Sequence, residues 1–200
     1  MNMKRFATFT LMLSSMASAG LIVLSVWPGS IQNMTYFALF TWIFWFPLVA
    51  IAGLVTFVII IRKSQRTSHV SSSGIKFFLL AGIIGIISIV VVAFSVPRRI
   101  VFPLFSSSFQ AHVDTAPISS YRGHDLDEQV GVWKVDRYGR DPRGGVYFRT
   151  ATGPDGLGPD QMSYGFVWKP NQSGSPFGNA DYYTARLAGD WYYFKVSNDF

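Results

Sequence analysis

The chain has 200 residues, half of them hydrophobic and only 14% charged, which is too apolar for an ordinary soluble domain and too polar for a helical bundle throughout. Every Asp and Glu lies from Asp114 onward, whereas the first hundred residues carry eight Lys or Arg and no acid, so the formal net charge of +6 is +8 in the first half and −2 in the second. No basic stripe interleaves with the aromatics of the second half, which excludes a nucleic-acid face, and the absence of cysteine excludes disulfides, thiolate chemistry and cysteine metal sites.

Residues 6–27 are uncharged and, as a helix, reach about 33 Å, enough for a hydrocarbon core of roughly 30 Å. Residues 35–61 and 77–96 are likewise uncharged, each closed by cations or by Pro97. These predict three transmembrane helices within residues 1–97. "ASAG" at 17–20 resembles a signal-peptide cleavage site, but the apolar run continues to Trp27, which favours an uncleaved anchor. Small residues such as Ala81, Gly82, Gly85 and Ser88 suit close helix packing. No ionisable residue falls within a span, so proton relays and ion pathways have nothing to work with at membrane depth.

Lys4 and Arg5 flank one side, and Arg62, Lys63, Arg66 and Lys76 return to it after two crossings, against Arg98 and Arg99 opposite. This asymmetry predicts a cytoplasmic N-terminus and an extracytoplasmic C-terminal half. Residues 98–120, with two prolines and three consecutive serines, read as an exit segment and linker.

Residues 121–200 predict a small antiparallel β-sheet of about five strands. Alternation with period two runs through "GVWKVDRY", "GGVYFRTAT" and "SYGFVWKP". In "DYYTARLAGDWYYFKVS" a two-residue Gly189-Asp190 turn of type II′ would pair Leu187 with Tyr192, Ala185 with Phe194 and Tyr183 with Val196 on one face, leaving a polar face opposite. "TGPDGLGPDQ" reads as two successive turns joining strands that end near Thr152 and start near Ser163; its two carboxylates, Asp155 and Asp160, are too few for a strong calcium site.

Candidate ligand-binding residues are the large amphipathic groups Trp168, Arg186, Trp191 and Tyr193, although a disulfide-free sheet of this size needs many such rings in its core. "GHDLDEQ" gathers His124, Asp125, Asp127 and Glu128, whose spacing matches no closed metal site and reads as a solvated turn. His124 and Asp127, with Asp155 and Asp160, are the alternative metal ligands. Asn33 and Asn171 head glycosylation sequons. No catalytic residue and no cofactor are implied.

The expectation is therefore an α+β membrane protein: three transmembrane helices followed by an extracytoplasmic antiparallel β domain, in a plasma or inner membrane. Its partners would be the bilayer and a protein or envelope component, as for an accessory or binding protein. An extracytoplasmic hydrolase or ligand-sensing domain is the alternative.

Overall fold

Residues 3–30, 72–154 and 160–198 are described by a computed structural model. The expected second span (35–61), residues 62–71 of the cationic loop after it, the Asn33 sequon and Asp155 lie outside the described residues, whereas Lys76, expected in that loop, lies in the helix Ser72–Ala93. The chain divides into two units, Met1–Leu21 with Met34–Val90, and Ile22–Asn33 with Val91–Phe200.

Helices α1 (Met3–Leu24) and α2 (Ser72–Ala93) fall on the apolar stretches of the sequence, and all but the last three residues of each lie in the first unit. Their less exposed positions recur at helical spacing: Leu11, Ser14 and Ser18 on α1, and Ala81, Ile84, Gly85 and Ser88 on α2. The Ser14 hydroxyl donates to the Ala81 carbonyl at 3.1 Å, a direct bond between the two helices, whereas the Ser88 hydroxyl donates to Ile84 within its own helix at 2.7 Å. Away from that seam the side chains are apolar and open, with Met16 73%, Phe9 64% and Ile86 64% exposed. Among the described residues no single helix is long and apolar enough to cross a membrane.

The second unit is built on a six-stranded antiparallel sheet. Its strands are β1 (His124–Val130), β2 (Trp133–Arg140), β3 (Val146–Pro154), β4 (Gln161–Trp168), β5 (Ala180–Ala188) and β6 (Trp191–Ser197). They lie in the order β1-β2-β3-β4-β6-β5, so the last hairpin inserts its second strand beside β4 and leaves β5 at the edge. The sheet has one strand more than expected. The extra strand is β1, where the polar run around His124 was expected to be a turn; as an edge strand it is exposed nearly throughout and shows no alternation to read.

The stretch 98–120, expected as an exit segment and linker, instead holds most of a third helix, α3 (Val96–Val113). Pro97 sits in its first turn, where a missing N–H is harmless. Phe102, Phe109 and Val113 share one face, fully buried against the sheet. Phe102 stacks within 4.7 Å of Phe166 and 5.3 Å of Trp191, and Phe109 meets Phe148 edge-on at 5.3 Å. Trp133, Val135 and Val146 complete this core. A smaller one, formed by Tyr147, Val167, Phe177, Phe194 and Val196, lies on the other sheet face under the 170–179 loop.

Residues after α1 also belong to this unit. The Trp27 indole donates to the Val132 carbonyl and the Trp133 indole donates to the Val26 carbonyl, each at 3.2 Å. Trp27, expected at the end of the first span, thus makes a hydrogen bond to the β domain.

The Gly189-Asp190 turn forms, and Ala188 pairs with Trp191 beside it. Beyond it a bulge at Leu187 shifts the register by one, so Ala185 faces Tyr193 and Thr184 faces Phe194. None of the three expected pairs, Leu187–Tyr192, Ala185–Phe194 and Tyr183–Val196, is made, and Tyr192 faces Arg186 instead. Tyr193 joins Ala185 and Leu187 on one face, while Phe194 and Val196 enter the second core, so neither face is simply polar. β3 and β4 extend further than expected, pairing out to Pro154 and Gln161.

Candidate functional site

On the sheet face opposite α3, beyond the second core, β2 and β3 carry Arg137 and Arg149, and β4 contributes Gln161 and Ser163. Arg137 and Arg149 are direct cross-strand partners, a like-charge pairing that is unfavourable unless each charge is met elsewhere. Each is met. The Arg137 Nε donates to Asp125 at 3.0 Å, and the Arg149 Nε donates to both carboxylate oxygens of Asp136 at 3.0 and 3.1 Å. The Arg149 guanidinium also lies 5.2 Å from the Phe177 ring centroid.

A third arginine comes from the connection into β1. Arg122 has φ +64, a left-handed conformation, and its N–H donates to Pro176 while its carbonyl accepts from Arg137 at 3.3 Å. Its guanidinium stacks on Tyr121 at 4.9 Å, and among the described residues it has no carboxylate partner. These arginines, with Tyr121, Gln161, Ser163, Phe177 and Asn198, line a cleft of about 400 Å³. Gln161 and Asn198 are held by reciprocal bonds, the Gln161 N–H to the Asn198 side chain at 2.8 Å and the Asn198 N–H to the Gln161 carbonyl at 3.0 Å. Three guanidiniums against two carboxylates leave one net positive charge, so the cleft can take an anionic group and stack a planar one on its aromatic wall.

The wall is braced by an ion pair whose carboxylate is buried. Asp141 is 2% exposed and receives Arg143 through Nε at 2.9 Å and Nη2 at 2.7 Å, while the same guanidinium reaches Asn179 and the Ser173 carbonyl in the 170–179 loop. Hydrogen bonding to Asp141 raises the Arg143 pKa above its ordinary value. Tyr147 and Tyr182 share a hydroxyl contact of 2.8 Å, and burial pushes both phenols up. The Asn171 amide, the acceptor of the second sequon, is tied to Gly144 and Tyr147 in this network.

The residues singled out from sequence lie elsewhere and do not converge. Trp191 and Tyr193 are buried, at 6% and 4% exposure, Trp191 in the core under α3 and Tyr193 beside Met162 and Tyr164. Trp168 is cross-strand partner to Trp191, and Lys169 caps its ring at 4.5 Å. Arg186 is exposed and donates to the Gly189 carbonyl at 3.0 Å, closing the hairpin turn. His124 is exposed on β1. Asp127 is exposed in the β1 bulge and pairs with Lys134 at 2.7 Å, which raises the lysine pKa. Asp125 pairs with Arg137, and Glu128 lies 4.0 Å from His112, so the acids of "GHDLDEQ" are spread along an edge, each facing a different side chain. Asp160 is half-buried, and among the described residues no three His, Asp or Glu come together as a metal site.

Arg122, Arg137, Arg149 and Phe177 were not singled out from sequence. The available signal was parity: Arg149 alternates with the apolar Val146 and Phe148 in β3, which put it on the opposite sheet face. Compared with known protein families, curated proteins and solved structures, the chain matches none.

Proposed function

We propose that the chain is an integral membrane binding or accessory protein whose β domain presents the Arg122 cleft to an anionic group on a protein partner or envelope component outside the cytoplasm. The observation that carries the reading is the cleft itself, a rigid sheet surface bearing a guanidinium with no carboxylate partner among the described residues. The open apolar side chains of α1 and α2 support anchoring in a bilayer, since water-facing surfaces that apolar are unusual in a soluble monomer. The cation asymmetry before Asp114 supports a cytoplasmic N-terminus with three spans, at 6–27, 35–61 and 77–96.

The test is copurification from mild detergent, with wild type beside Arg122→Glu and Arg186→Glu. A partner held at the cleft is lost from the first variant and kept by the second, whose exposed arginine lies on the far edge strand. A partner retained equally by all three binds elsewhere and overturns the assignment to the cleft.

A further inference from the structure

Arg98 is a buried cation without an anion. It lies in the first turn of α3, is 4% exposed, and donates from Nε to the Ser25 carbonyl at 2.8 Å. Its Nη1 has no hydrogen-bond partner, and the guanidinium rests 4.4 Å from the ring centroid of Tyr193, whose buried hydroxyl is likewise unpartnered. These two are the buried side-chain polar atoms left unpaired among the described residues. An uncompensated buried guanidinium is strongly unfavourable, and the whole chain upstream of Asp114 has no carboxylate to offer it.

Arg98 lines a cleft of about 380 Å³ together with Ser95, Tyr183, Tyr193 and Lys195, closed by Val92 and Ala93. No Asp or Glu lines it. Ser95 precedes α3 with φ +54 and caps nothing with its side chain, so its hydroxyl and the positive end of the helix face the same space. The Lys195 Nζ stands 5.9 Å from the Tyr183 ring. The cleft shares no residue with the arginine cleft on the opposite face.

We propose that this second cleft binds a tetrahedral phosphate-type oxyanion, its oxygens shared between Arg98, Lys195, the Tyr193 hydroxyl and Ser95. A carboxylate holds its two oxygens in one plane, whereas the tetrahedral oxygens of a phosphate, free or esterified, can meet donors that converge from different sides of the cleft. The phosphate has two possible sources, a free ion or a lipid headgroup. Val92 and Ala93, the last residues of an apolar helix, form one wall of the cleft. The proposal stands whether or not α2 crosses a bilayer.

The experiment uses the full chain in nonionic detergent. Melting temperature is followed while inorganic phosphate, or separately a short-chain phosphatidylglycerol, is titrated at constant ionic strength. Wild type is compared with Lys195→Gln, a change of a half-exposed residue, and with Arg186→Gln, which removes a cation from outside the cleft. A saturable rise is expected, with affinity about tenfold weaker in Lys195→Gln and unchanged in Arg186→Gln. A rise with both ligands identifies a site that takes free phosphate; a rise with phosphatidylglycerol alone assigns the headgroup as its source. No rise with either ligand, or one equally affected by both variants, overturns the proposal.

Discussion

Asp141 and Arg143, two residues apart, form a forked ion pair in which the carboxylate is buried and the guanidinium reaches across to the 170–179 loop. The pair sits in the β2–β3 turn, where the Asp141 N–H and carbonyl also bond Gly145 and Gly144. Arg143→Met leaves the carboxylate buried and unpaired. With the arginine side chain 41% exposed, the expected loss is about 2 kcal/mol, below the range for a fully buried pair. The additional change Asp141→Asn should recover part of that loss, as measured by thermal unfolding. Equal stability of wild type and Arg143→Met would show that the pair is already screened by solvent.

α3 supplies part of the domain core, so Phe109→Ala should cost about 3–5 kcal/mol. A fragment of residues 121–200 should lack the sharp near-ultraviolet dichroism of a packed domain, because Trp133 and Phe166 lose the rings that cover them. A cooperatively melting 121–200 fragment would mean that the sheet packs without its helix.

Much of this sheet was legible in the sequence. β2, β3 and β4 follow their alternation, and the last hairpin announced its turn at Gly189. What failed were features whose signals cancel or stay silent. In α3 the stripe Phe102, Phe105, Phe109 and Val113 has helical spacing, but Pro97, Pro103 and three serines beside it look like linker. β1 has almost no buried face to pattern. The bulge at Leu187 depends on how β5 meets β6 in three dimensions, and no local residue choice marks it. The arginine cleft depends in the same way on Arg122 arriving from outside the strand that holds Arg137.

Two glycines distinguish two kinds of constraint. Gly189 has φ +55 and open space around it, so Gly189→Val should cost only backbone strain, about 1–2 kcal/mol. A Cβ on Gly165 would stand 1.9 Å from the Phe148 carbonyl oxygen, so Gly165→Ala must part β3 from β4 and should prevent folding. Comparing soluble yield and melting temperature of the two variants checks the order; the reverse order would contradict the strand spacing.

Burial pushes the Tyr193 hydroxyl up to about 12 from its ordinary value near 10, despite the opposing pull of Arg98. A pKa raised on folding stabilises the native state below the unfolded value, and that contribution is lost as pH rises through the folded one. Stability should therefore fall between pH 10 and about 12. Tyr193→Phe should reduce the slope there, as read from unfolding midpoints across the range. An unchanged slope would mean that other buried phenols carry the whole dependence.

The Trp27 indole waits for an acceptor 105 positions later in the chain. At synthesis rates of about 5–20 residues per second, the gap between the two is roughly 5–20 s. During that interval Ser25 to Gly29, buried or half-buried in the finished domain apart from Trp27, have left the ribosome with nothing to pack against. The domain can close only after β2 and β4 have been made, so its first-made piece is among the last to find its place. The order of translation and the order of assembly run in opposite directions at this point.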